Sequence, residues 1–133
     1  RFLLHEEAVT REALVSLFTK EEGSNYVIVT PSLSTGFDLP YQVGFQCIAK
    51  VPFADLGDSL VSARRESTLP GNERFGKQGY DDDAINQIIQ AAGRAVRAPD
   101  DSGVTYILDG HFWGLYKRAF SPEYFKEAIT WVD

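Results

Sequence analysis

Tyr26-Val27-Ile28-Val29-Thr30 decides how the rest of the chain is read. Its residues are mostly β-branched and nearly all apolar, without the in–out alternation of a half-buried strand. Such a run predicts a strand covered on both faces, as in a parallel sheet. Residues 45–51, ended by Pro52, and residues 104–108, followed by Asp109-Gly110, read the same way, and residues 2–4 read as a short strand. Helical patterns separate them. Thr10 is a plausible N-cap for a helix carrying Ala13, Leu14, Leu17 and Phe18, which Glu22-Gly23-Ser24-Asn25 stops. Residues 56–66 form a second helical pattern. Asp81-Asp82-Asp83 opens a third, running to Ala98, with the acids favouring the helix start. Two short ones cover 112–118 and 122–129. Interior-type strands alternating with helices predict an α/β fold: three layers, α/β/α, around a mainly parallel sheet. Residues 31–42 and 67–79 read as loops, the second long and exposed.

With 133 residues, 44% hydrophobic and 24% charged, the chain has the size and composition of one globular domain with a real core. No apolar run approaches a membrane span, and the start is too short and polar-flanked for a signal peptide. Cys47 is the only cysteine, so an intrachain disulfide and a cysteine-built metal cage are excluded; its apolar surroundings predict a buried structural thiol. A cytoplasmic setting, with no membrane partner, is expected. The net charge of −6 argues against nucleic-acid binding by bulk charge, so any such contact must be local. The apolar start without a cap, and the absence of methionine, suggest a piece of something longer.

Residues 90–97, Gln-Ala-Ala-Gly-Arg-Ala-Val-Arg, carry the strongest functional signal. At about 100° per residue, Ile85, Ile88, Ile89, Ala92 and Val96 gather on one helix side. Gln90, Arg94 and Arg97 share another, roughly opposite. Arginine offers planar, bidentate recognition of phosphate where lysine would serve a solvated face equally well. Gly93 inside a helix costs about 1 kcal/mol relative to alanine, which suggests a close approach at that turn. In open α/β sheets ligands bind beyond the carboxyl ends of the strands. Two loops lie there: residues 30–40, with Gly36, Asp38 and several hydroxyls, and Asp109-Gly110-His111. The chain has no Gly-x-Ser-x-Gly elbow, phosphate loop or Gly-x-Gly-x-x-Gly fingerprint.

Gln90-x-x-Gly93-Arg94-x-x-Arg97, with Asp100-Asp101-x-Gly103 and the strand ending in Asp109, resembles motif VI of superfamily-two helicases. Residues 30–40, with Gly36-Phe37-Asp38-Leu39-Pro40, resemble motif V, departing from it at Thr35, where an acidic residue is common. Ala49-Lys50-Val51-Pro52-Phe53, followed by Ser62-Ala63-Arg64, is similar to the corresponding stretch of the XPD/DinG-like branch. The resemblance implies the second, C-terminal RecA-like domain (P-loop NTPase-like) over residues 1–133. It implies ATP and Mg²⁺ held mainly by a first RecA-like domain of the same protein, and single-stranded DNA as partner. Arg94 and Arg97 would be arginine fingers and Gln90 would position the attacking water or the γ-phosphate. Gly36, Asp38 and Gly93 would lie at the nucleotide, and Ser32, Ser34 and Thr35 would contact the nucleic-acid backbone. No residue is implied as a metal ligand, and the chain alone is expected to be inactive. Two other readings stay open: a non-catalytic helicase-like interaction module, and a self-contained hydrolase using Asp109 and His111.

Overall fold

The computed structural model describes residues 2–4, 13, 16, 27–30, 44–68, 75–96 and 101–132. The elements are β1 (Phe2–Leu4), β2 (Val27–Val29), β3 (Phe45–Ile48), α1 (Ser59–Glu66), α2 (Gly76–Ala92), β4 (Val104–Ile107), α3 (His111–Arg118) and α4 (Glu123–Glu127). Ala13 and Ser16 are helical, within the helix predicted over 10–22. The chain has an α/β fold, and every described strand pairing is parallel. β1 pairs with β2, Phe2 opposite Val27, and β3 with β4, Phe45 opposite Val104. Parallel neighbours need a crossover; α1 and α2 provide it between β3 and β4.

α2 forms the centre of the core. Ile85 and Ile88 are fully buried, with Ala84 and Ala91 beside them on the same helix. They meet Ile48 and Val51 from β3 and the turn after it, Phe112 and Leu115 from α3, and Phe125 from α4. α1 begins where Asp58 caps it, its carboxylate accepting from the N–H groups of Leu60 (2.8 Å) and Val61 (3.4 Å). The expected start at residue 56 is a turn instead.

The start of α2 differs from expectation. It begins at Gly76, and Phe75 at its N-cap makes no side-chain capping bond. Residues 76–79, read as loop, are its first turn, with Gly79 buried. Gly76 has φ of 81°, a conformation open to glycine at little cost. The aspartate triplet lies a turn inside the helix and fastens its neighbours. Asp81 binds Arg118 Nε at 2.9 Å, Asp82 accepts from the Phe120 N–H at 2.8 Å, and Asp83 pairs with Arg64 at 3.0 Å. The α2–α3 packing thus has a polar clasp at one end, completed by the Gln78 amide donating to the Arg118 carbonyl (3.0 Å).

The β3–β4 pair is covered on one face. Gln46, Ile48, Thr105 and Ile107 turn toward the helices, whereas Phe45, Cys47, Val104 and Tyr106 are exposed. The expectation that these strands are covered on both faces is therefore not met among the described residues. Cys47 is exposed, not a buried thiol.

Candidate functional site

The helix expected to run to Ala98 ends at Ala92, with Gly93 as its C-cap. The ending has a direct effect on the two-faced pattern. Ile85 and Ile88 stay in phase and are buried, but Val96, beyond the helix, is 45% exposed. Ala95 takes its place, 3% exposed, because the chain turns there. Gln90 is exposed near the helix end and Arg94 is half-buried in the turn that follows. They do not share a continuous helix face. Arg97 lies outside the described residues, as do Ser32, Ser34, Thr35, Gly36 and Asp38, so none of these is placed here.

Gly93 is not inside a helix either. Its φ of −63° and ψ of −11° suit any L-residue. A Cβ there would lie 3.5 Å from the Ile89 carbonyl oxygen, ordinary contact. Close packing inside the described chain is therefore not what puts glycine at this position.

Gln90 lines the far end of a cleft of about 370 Å³ between α1 and α2, with Arg64, Arg65, Tyr80, Asp83 and Gln87 among its walls. The Arg65 guanidinium stands 5.4 Å from the Tyr80 ring centre, and Tyr80 stacks on Phe53 at 5.6 Å. The Tyr80 hydroxyl donates to the Ala54 carbonyl at 2.8 Å. Phe53 follows β3 and Arg64 belongs to α1. Both brace this wall, Phe53 through Tyr80 and Arg64 through Asp83.

Asp109 closes the carboxyl ends of β3 and β4. One of its oxygens accepts from the Val51 N–H (2.9 Å), the other from the His111 N–H (3.0 Å) and Nδ1 (2.8 Å). These bonds hold its pKa down at about 2, the backbone N–H of His111 contributing most, then that of Val51 and then the imidazole. Asp109 is thus a clasp between strand ends. The His111 side chain is 82% exposed and its described hydrogen bonds all go to Asp109. No nucleophile meets the imidazole among them, as a hydrolase would need.

Gln46 escaped the sequence reading. Its amide donates to the Ala91 carbonyl (2.7 Å) and to Thr105 Oγ1 (2.8 Å), joining β3, β4 and the end of α2. The available signal was a lone amide inside an otherwise apolar strand.

No described helix is long and apolar enough to cross a membrane. No curated protein and no solved structure matches the chain. The family model for the helicase C-terminal domain matches residues 1–127, spanning the described strands, α2 with its Gly93 turn, and the Asp109 clasp. The chain belongs to the helicase C-terminal domain family.

Proposed function

We propose that the chain is the second RecA-like motor domain of an ATP-dependent, superfamily-two DNA helicase of the XPD/DinG-like branch, working with a first RecA-like domain of the same protein. The observation that carries this reading is the end of α2. One side of the helix is locked in the core by Ile85 and Ile88, while Gln90 is exposed in its last turn and Arg94 lies half-buried in the turn that follows.

Guanidinium and amide groups are donors, and the guanidinium fork matches phosphate oxygens. The site therefore fits the phosphate part of ATP. A guanidinium is a cation with no acceptor lone pair, so Arg94 is no ligand for Mg²⁺. Mg²⁺ belongs with the first domain in this reading. Arg94 and Arg97 stabilise charge developing on the γ-phosphoryl group, a role worth about 10³–10⁵ in rate where arginine fingers act. Gln90 orients the attacking water or the γ-phosphate. Gly36 and Asp38 couple the nucleotide to DNA binding, and Ser32, Ser34 and Thr35 contact the backbone of single-stranded DNA. Neutral contacts of that kind suit a chain of net charge −6.

The 133-residue chain alone is then expected to hydrolyse no ATP, whereas the protein joining it to a first motor domain does. Purified chain is assayed for phosphate release with and without single-stranded DNA. Turnover by the chain alone, lost on His111→Ala, would replace the motor reading with the hydrolase one.

A further inference from the structure

The last carbonyls of an α-helix have no partner within the helix and must find one elsewhere. At the end of α2 the Ala91 carbonyl finds partners from two directions, with the Gly93 N–H also turned toward it. It accepts the backbone N–H of Arg94 at 3.1 Å and the Gln46 side-chain amide at 2.7 Å. The second N–H of that amide goes to Thr105 Oγ1 at 2.8 Å, and Thr105 is the register partner of Gln46 on β4. Both donors of a half-buried amide are used. An uninterrupted chain of hydrogen bonds runs from β4 through β3 to the carbonyl holding the Arg94 backbone.

We propose that Gln46 is a positioning residue for Arg94, acting through the Ala91 carbonyl to set where the arginine leaves the helix end. The proposal rests on the reading that Arg94 serves ATP hydrolysis. Gln46 faces the helices beside Ile48, where an apolar side chain would pack without needing a partner. A polar group there is tolerable only when hydrogen-bonded, and here its bonds end on the turn that carries Arg94. The other side of the turn is fixed differently: Ala95 is buried and its N–H donates to the Ala92 carbonyl at 3.2 Å. Gln46 on one side and Ala95 on the other therefore clamp Gly93-Arg94. A charge-stabilising group acts well only when held within about 0.5 Å of its working place, so loosening one clamp affects turnover more than nucleotide affinity.

The test is Gln46→Met, similar in length but without donors, in the protein carrying both motor domains, with Arg94→Ala in parallel. Hydrogen exchange on the 133-residue chain reads the clamp without any enzymology. Gln46→Met is expected to lower kcat about tenfold with KM for ATP within about twofold. The Gly93 and Arg94 amides should exchange at least about tenfold faster, while those of Ile85 and Ile88 change little. If Gln46→Met turns over like the parent while Arg94→Ala is dead, the positioning role is wrong and the role of Arg94 stands. If Arg94→Ala itself turns over normally, the underlying site reading fails. Unchanged exchange at Gly93 and Arg94 would refute the clamp in either case.

Discussion

Ile88→Ala paired with Val96→Ala tests where α2 stops, which determines where Arg94 sits. On an unbroken helix the two side chains would share a face and behave alike. In the structure Ile88 is 0% exposed among Ile85, Leu115 and Phe112, whereas Val96 is 45% exposed past the Gly93 turn. Removing a buried isoleucine side chain leaves a cavity and costs about 2–5 kcal/mol. Trimming an exposed valine stays within about 0.5 kcal/mol. For a chain of this length each kcal/mol moves the melting midpoint by about 4 °C. Ile88→Ala should then melt roughly 8–20 °C below the parent and Val96→Ala within about 2 °C. Urea and thermal unfolding followed by far-ultraviolet circular dichroism give both numbers. Equal, large losses in the two variants would mean that the helix continues through Gly93 and that the turn carrying Arg94 does not exist.

Gly93→Ala should leave the fold intact or stabilise it by about 0.4–1 kcal/mol, since the backbone there suits alanine and the Cβ meets only ordinary contacts. If the bare backbone serves a bound nucleotide, the same variant loses ATPase in the two-domain protein; melting and turnover measured together separate the effects. Asp58→Ala should cost about 1 kcal/mol by uncapping α1, and a loss below about 0.3 kcal/mol would show that the cap does nothing. Asp109 has a pKa of about 2 in the folded chain, below its ordinary 3.8, so its stabilising effect is full above about pH 4 and disappears as pH falls through 2. Following the Val51 amide by NMR should show the clasp intact at pH 3.5 and opening only near pH 2. Opening at pH 4 or above would contradict the bonds assigned to it.

The sequence made some parts of this molecule plain and concealed others for definable reasons. Strands β3 and β4 were legible because their apolar runs are bounded by Pro52 and Asp109-Gly110. Their orientation was not: Phe45 and Cys47 are as apolar as Ile48, so nothing in the run shows that the amide of Gln46, and not Phe45, turns toward the helices. The start of α2 was hidden by Gly76 and Gly79, poor helix formers that tertiary packing overrides, and by aspartates that look like a cap but serve as clasps to Arg64, Phe120 and Arg118. Its end was hidden because Ala95 and Val96 both continue an apolar pattern, and only the turn at Gly93 decides between them. Gln90, Gly93 and Arg94 stand out by their spacing, but the end of α2 at Ala92 keeps Gln90 and Arg94 off a shared helix face. Gln46 was not legible, because its role comes from Ala91 and Thr105, 45 and 59 positions away.

The most direct measurement is single-turnover ATP hydrolysis by the two-domain protein carrying Arg94→Ala, at saturating ATP and with single-stranded DNA present. The expected result is a fall in the hydrolysis rate of about 10³ or more, with the melting temperature of the chain and the affinity for ATP little changed. Hydrolysis within a fewfold of the parent rate, in a variant shown to be folded, would contradict the assignment of this helix end to the ATP site.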